Sequence, residues 1–92
     1  MEEHCYIILY DLCKPNRDYS SLYSALKKYS RWGKITESAW AIVTSHTYVE
    51  IRNNLKQYID SDDRLMVIKS GKSAAWTKAI ASDQWLKENL IK

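Results

Sequence analysis

One carboxylate stands at the end of the most apolar run in the chain. Residues 5–12 read Cys-Tyr-Ile-Ile-Leu-Tyr-Asp-Leu, and Asp11 is the charged member of this run. In a strand, Asp11 shares its side with every second apolar residue before it, so it extends an otherwise apolar face. The polar residues 14–18 follow and predict a loop. A buried strand that delivers a carboxylate to a polar loop suits a chemical site, but equally a helix cap or a loop anchor.

Four basic side chains flank residues 18–30, the segment that follows this loop. Lys14 and Arg17 precede it, and Arg31 and Lys34 come after it. Such a group can neutralise phosphates, and its binding to nucleic acid would weaken steeply with salt. The alternative is a solvated surface; the grouping favours binding. The formal net charge of +3 permits a nucleic-acid partner without requiring one.

Ser38 and Trp40 are the next candidates. Trp40 can stack on a base, or it can fill the core or a dimer seam, and packing is favoured. Ser38 is a polar candidate, but as a nucleophile it would need a base beside it. His4 and His46 lie before the first strand and before the second helix, where they are read as surface or capping residues.

The first two elements would position these residues. The run 5–12 predicts a strand that is covered on both faces and central in its sheet. Apolar residues at helical spacing predict a helix over roughly 18–30, with Asp18 as its N-cap and Gly33 as a later stop. Between 33 and 45 the period changes to two, which predicts either a hairpin broken near Glu37-Ser38 or one long bulged strand.

The second half repeats the alternation. Thr47 and Glu50 have capping-box spacing, which predicts a helix to about residue 59. A short apolar strand follows over 65–68, and Ser82 is placed to cap a last helix. That helix would carry three apolar side chains inward: Trp85, Leu86 and Leu90.

Length and composition then bound the fold. Ninety-two residues, 46% hydrophobic and 27% charged, indicate one domain. The element order predicts an α+β class and a ferredoxin-like βαββαβ two-layer sandwich, with a core of about 4–70 and a C-terminal helical tail over 71–92. Both helices would cover one sheet face. Because the first and last strands are apolar on both sides, the tail or a second copy of the chain should cover the other, and a homodimer is predicted.

The cysteines and the apolar runs indicate the environment. Cys5 and Cys13 have no metal-binding spacing, which favours free thiols in a reducing cytoplasm. No apolar run approaches the roughly 20 residues of a membrane span. We therefore expect a cytoplasmic protein without a membrane partner.

Short motifs along the chain together resemble a known family. They are Tyr10-Asp11 at the end of the first strand, the Pro15-Asn16-Arg17 loop, and residues 36–40, Thr-Glu-Ser-Ala-Trp. With these the chain resembles the small CRISPR adaptation subunit, a CRISPR-associated endoribonuclease, and its relatives. The relatives are the virulence-associated protein D toxins and the SinR-like proteins of plasmids and phages. The likeness is strongest to the SinR-like branch and covers roughly residues 5–76.

The resemblance implies a homodimer in which the strand-end Asp of each subunit faces its mate across a cleft. Carried over, Asp11 would be the catalytic metal ligand for Mg²⁺ or Mn²⁺, Arg17 a phosphate contact and Ser38 a polar lining residue beside it. The implied activity is cleavage of RNA or DNA, and the implied further partner is an integrase or an antitoxin. Other members of this family serve as structural or DNA-bridging subunits, so the alternative is a non-catalytic dimer of the same fold that binds nucleic acid or another protein.

Overall fold

The structure is a computed structural model that describes residues 2–90. Met1 and the last two residues of the predicted tail, Ile91 and Lys92, lie outside the described part. The elements, in chain order, are β1 (His4–Asp11), α1 (Ser20–Leu26), β2 (Arg31–Thr36), β3 (Ala39–Thr44), α2 (Tyr48–Lys56), β4 (Arg64–Lys69) and α3 (Asp83–Asn89). The predicted alternation of strands and helices in an α+β domain is confirmed.

The four strands form one antiparallel sheet in the order β2-β3-β1-β4. The apolar strand β1 is therefore central, as its composition predicted. Its register places Leu9 opposite Ala39 of β3 and Met66 of β4. The same register sets Asp11 opposite Arg64.

One side of the sheet, here called the helix face, carries the main core. Tyr6, Ile8 and Tyr10 of β1 point to this side, where α1 and α2 cover them. This layer of two helices on a sheet is the predicted arrangement. The helices contribute four fully buried side chains: Leu22, Leu26, Ile51 and Leu55.

The opposite side, here called the tail face, is covered over part of its area by the C-terminal segment. Cys5 of β1 and Val43 of β3 pack against Leu86 and Leu90 of this segment. The segment is also bound to the edge of the sheet, since the backbone N–H groups of residues 80 and 81 donate to carbonyls of β2 at 3.0 and 2.8 Å. The sequence allowed either the tail or a second copy of the chain to cover this face, and the tail covers part of it.

The tail does not reach the whole of that face. Leu9, Met66 and Ile68 remain exposed on neighbouring positions of β1 and β4, and Met66 is 57% exposed. We call these three side chains the open patch. The tail covers only part of this face because α3 packs over the other end of the sheet, and cover of the rest by a second copy of the chain stays a prediction.

Helices α1 and α2 are both shorter than predicted from the spacing of apolar residues, which placed the first over roughly 18–30 and the end of the second at about residue 59. Asp18 accepts from the backbone N–H of Ser20 at 2.9 Å in a turn before α1, and the N-cap position belongs to Tyr19. After α1 the backbone N–H of Lys28 donates to the carbonyl of Ala25, three residues earlier, at 3.2 Å. Such tighter bonds end an α-helix. The backbone N–H of Tyr58 makes the same kind of bond after α2.

The segment 33–45 combines both alternatives that the sequence allowed. β2 and β3 form a hairpin that turns at Glu37-Ser38, and the pairing shifts between Lys34 and Thr36 as in a bulge. Gly33 lies inside β2 rather than in a turn, so its predicted role as a helix stop is wrong. A Cβ atom at Gly33 would meet the Trp85 ring at 2.8 Å.

Two predicted helix caps are confirmed. Thr47 and Glu50 form a reciprocal capping box at the start of α2. The hydroxyl of Ser82 accepts from the backbone N–H of Trp85 at 3.1 Å at the start of α3. Within residues 2–90 no helix has the length and apolar character that crossing a membrane requires.

Candidate functional site

Asp11 ends β1 on the tail face, beside the open patch. Its carboxylate oxygen Oδ2 accepts from Nη1 of Arg64 at 2.9 Å, and the two side chains are 63% and 79% exposed. An ion pair this exposed contributes about 1 kcal/mol at most and is screened by salt. Arg64 was not among the residues predicted from the sequence. It lies 53 positions away, and the strand register alone brings it to Asp11.

Asp11 and Ser38 line one cleft of about 550 Å³ at the end of β1. The hairpin turn is held there because the backbone N–H of Tyr10 donates to the carbonyl of Ser38 at 3.1 Å. Glu37 lies next to Ser38, and its carboxylate accepts from Lys34 at 3.1 Å. The cleft also includes Leu12 and Tyr23. The structure thus brings together the two residues predicted to be catalytic.

The described part of one chain does not supply a complete metal site. Within residues 2–90 no three His, Cys, Asp or Glu side chains are grouped so that they could hold an ion together. Asp11 is an exposed oxygen donor of the kind that Mg²⁺ and Mn²⁺ prefer. A divalent ion at Asp11 would therefore need a further donor, such as a second carboxylate from another chain.

The loop after β1 does not present its positive charges freely. Lys14 pairs with Asp62 at 3.2 Å, and Arg17 pairs with Asp60 at 3.4 Å. Arg17 also lies over the ring of Tyr19 at 5.4 Å from its centroid. These contacts join two loops that are distant in sequence, and a phosphate would have to compete with the carboxylates.

Arg31 and Lys34 lie on opposite faces of β2. Arg31 is paired with Val43 on the tail face, and its guanidinium donates to the side-chain oxygen of Asn89 in α3 at 3.1 Å. Lys34 is paired with Trp40 on the helix face. The four basic residues that are grouped in the sequence therefore lie in three separate places: the loop after β1, the tail face and the helix face.

Trp40 is packed in the core and 2% exposed, so its ring faces are covered in the folded chain. Its indole N–H donates to the hydroxyl of Tyr10 at 2.8 Å, and that hydroxyl donates to the carbonyl of Glu37 at 3.1 Å. Burial raises the pKa of Tyr10, although the hydrogen bond from Trp40 acts in the opposite direction. Tyr10 and Trp40 thus form a neutral hydrogen-bonded pair, of which Tyr10 lines the cleft.

Trp32 is an exposed aromatic residue near this cluster that was not among the residues predicted from the sequence. It stands on β2 with its ring 5.5 Å from that of Trp40, and 39% of it is exposed. The ammonium of Lys27 lies over the Trp32 ring at 5.5 Å from its centroid. Strand alternation in β2 is the sequence signal that could have indicated Trp32, because residues 32 and 34 must lie on the same side of the strand.

No family model and no solved structure matches this chain.

Proposed function

We propose that this chain is a homodimeric, nucleic-acid-associated protein of the CRISPR adaptation-subunit, virulence-associated protein D and SinR-like superfamily. In this proposal it cuts RNA or DNA with Mg²⁺ or Mn²⁺ held between the Asp11 carboxylates of two chains. The observation that carries the proposal is the position of Asp11, exposed at the rim of the open patch, on the part of the tail face that the C-terminal segment does not cover.

The topology supports a ferredoxin-like fold. A βαββαβ sequence of elements with the strand order β2-β3-β1-β4 has the two helices on one side of an antiparallel sheet. This is the split arrangement of ferredoxin-like domains. The covering of part of the tail face by α3 would then be an addition to the two-layer form.

The open patch supports a dimer with two-fold symmetry. In such a dimer the same surface serves both chains, so a patch near the axis meets its own copy. Asp11 is two residues beyond Leu9 on the same side of β1. That separation is about 7 Å along a strand. A two-fold axis that passes beside Asp11, at the border of the open patch, would bring the two carboxylates within reach of one ion.

The side chains around Asp11 would then act on a phosphodiester. Arg64, released from its weak pair with Asp11, would be free to hold the scissile phosphate as a bidentate donor. Lys14 and Arg17 would exchange their aspartate partners for phosphates of the strand. When bound, the divalent ion supplies a Lewis acid for the phosphoryl oxygen and lowers the pKa of a water molecule.

A cleavage assay on the full chain tests this function. Labelled single-stranded RNA, single-stranded DNA and duplex DNA are incubated with Mg²⁺ or Mn²⁺, and we expect cleavage of at least one of them. Asp11→Asn should lower the rate at least about 100-fold, since catalysis would lose the charge of both carboxylates. Glu88→Gln, an exposed carboxylate on α3, is the matched control and should cleave normally. Undiminished cleavage by Asp11→Asn would refute the mechanism.

A non-catalytic binding dimer is the second candidate, and the ion pair between Asp11 and Arg64 favours it. In the single chain that carboxylate already has a positive partner at 2.9 Å, as a structural residue would. This candidate predicts salt-sensitive nucleic-acid binding that survives Asp11→Asn, and no metal-dependent turnover. An integrase or antitoxin partner would belong to either candidate and would compete for exposed surface.

A further inference from the structure

An unbroken series of aromatic rings leads from the cleft to the surface of β2. Tyr10 and Tyr23 line the cleft, and their ring centroids are 6.4 Å apart. Tyr23 stacks on Trp40 at 6.4 Å with an angle of 12°, and Trp40 is followed by Trp32 at 5.5 Å. We call these four residues the aromatic ladder. Its inner members are held by packing and by the hydrogen bond between Trp40 and Tyr10.

Trp32 is the exposed end of this ladder. Trp40 supports Trp32 from the core side and restricts its side chain before a ligand binds. Binding therefore costs Trp32 little further conformational entropy. An aromatic ring that is held on one side and open on the other is the kind of platform on which a nucleobase stacks.

Two ammonium groups accompany the outer part of the ladder. Lys27 lies over Trp32, and Lys34 lies over Trp40 at 5.8 Å from its centroid. Lys34 is shared with Glu37, whereas none of the ion pairs in residues 2–90 includes Lys27. The Trp32 ring can therefore stack on a base, while the Lys27 ammonium, which has no carboxylate partner in the described residues, can bind the phosphate of the same nucleotide.

The contact between Lys27 and Trp32 does not prevent stacking. A surface cation–π contact is weaker than the stacking of a base on tryptophan. A base can therefore replace the ammonium over the ring, and the long side chain of Lys27 can turn to the neighbouring phosphate. Bases within a duplex have no free face, so the ligand must be single-stranded.

We infer that Trp32, with Lys27 and Lys34, is a stacking site for one base of a single-stranded nucleic acid whose chain continues over the surface past Lys34 to the cleft of Asp11 and Ser38. This inference rests on the proposed function and specifies its substrate as single-stranded RNA or DNA. Since the platform uses ring faces and ammonium groups, it binds with little preference for base sequence.

The test is a fluorescence anisotropy titration of the full chain with labelled oligothymidylate and oligouridylate of about ten nucleotides. Trp32→Ala should weaken binding about tenfold, and Trp32→Tyr, which keeps a stacking ring, should bind within about threefold of the wild type. Tyr48→Ala removes an aromatic residue that is more exposed than Trp32, at the start of α2, and should change nothing. Melting curves establish that each variant is folded.

Lys27→Gln gives an independent reading in case Trp32→Ala unfolds. It should reduce the slope of log affinity against log salt by about 0.7, the value for one phosphate contact on a single strand. An unchanged slope together with wild-type affinity of Trp32→Ala overturns the stacking site. So does tighter binding of duplex than of single strands.

The failure of this site is distinguishable from failure of the proposed function. If the wild type cleaves or binds nucleic acid and Asp11→Asn behaves as predicted, but Trp32→Ala binds normally, the platform alone is refuted. If the wild type neither binds nor cleaves any nucleic acid at about 50 mM salt, both fall together. Loss of dimerisation in Trp32→Ala, measured by sedimentation, with unchanged nucleic-acid affinity would show that the residue serves a protein contact instead.

Discussion

At the scale of single residues, Asp63 shows how a polar turn can hold two loops together. Its carboxylate accepts from the backbone N–H of Cys13 at 2.7 Å, from the hydroxyl of Tyr19 at 2.7 Å and from the backbone N–H of Asp60 at 2.8 Å. Partial burial by itself raises the pKa of Asp63, but these hydrogen bonds together outweigh it and lower the pKa below its ordinary value. The loop that carries Lys14 and Arg17 is anchored at this residue.

This lowered pKa gives a prediction about stability and pH. A carboxylate whose folded-state pKa is lowered stabilises the fold above its ordinary pKa, and the contribution is lost as the pH falls through the folded-state value. We expect Asp63→Asn to melt about 5 °C below the wild type at neutral pH. The difference should shrink as the pH falls from about 5 to about 2.

Asp62→Asn is the control for Asp63, because Asp62 is an exposed residue in the same turn. Its melting temperature should differ from that of the wild type by less than about 2 °C, as expected for an exposed ion pair. A deficit of Asp63→Asn that is the same at every pH would show that its charge is not the cause.

At the scale of elements, the fit of α3 against β2 depends on a missing side chain. The Trp85 ring occupies the space in front of Gly33, and the side chain of Asn89 on the same helix accepts from Arg31. Asn89 also donates to the carbonyl of Trp85 at 2.8 Å, so its orientation is fixed from both sides. The strand and the last helix therefore interlock through residues that are far apart in sequence.

Gly33→Ala tests this close approach. The new methyl group would displace the Trp85 ring, so we expect the free energy of unfolding to fall by about 1–3 kcal/mol. Gly71→Ala is a matched control, since a Cβ atom at Gly71 meets no atom within 4 Å. That control should leave stability unchanged or raise it by about 0.4–1 kcal/mol. Urea denaturation followed by circular dichroism measures both, and equal stability of the two variants would contradict the packing.

At the scale of the whole molecule, the two sheet faces differ in how completely they are covered. The helix face is covered by α1 and α2 except at the edge strand β2, where Trp32 is exposed, whereas α3 and its preceding segment cover one end of the tail face. The open patch of Leu9, Met66 and Ile68 is left at the other end, bordered by the pair of Asp11 and Arg64. Apolar groups on adjacent strands form the kind of surface that a protein partner covers.

Met66→Glu tests whether that partner is a second copy. A carboxylate within an apolar interface loses its hydration, so we expect the dimer dissociation constant to rise on the order of 100-fold. The measurement is sedimentation equilibrium over a range of concentrations. Val49→Glu places the same charge on exposed α2, away from the open patch, and should not alter assembly. A monomeric wild type, or a Met66→Glu dimer of unchanged affinity, would contradict the dimer.

The sequence by itself determined the features that depend on neighbouring residues. The apolar run of β1, the capping box of Thr47 and Glu50 and the cap of Ser82 follow from local spacing, and the structure confirms them. The side of β1 to which Asp11 belongs follows from strand alternation, and so does its place on the same side as Leu9. Such features depend on periodicity and on hydrogen bonds between residues three or four positions apart. Both are visible in the sequence itself.

The tertiary structure alone decided which charges and rings are free. Arg17 binds an aspartate 43 positions away, and Asp11 binds an arginine 53 positions away. Trp40 is buried while Trp32, on the neighbouring strand, is open to solvent. Exposure and ion pairing depend on strand register and on loop closure between distant segments. The spacing of residues along the chain contains neither, and so the partners of Asp11, the role of Gly33 and the aromatic ladder emerged only from the folded molecule.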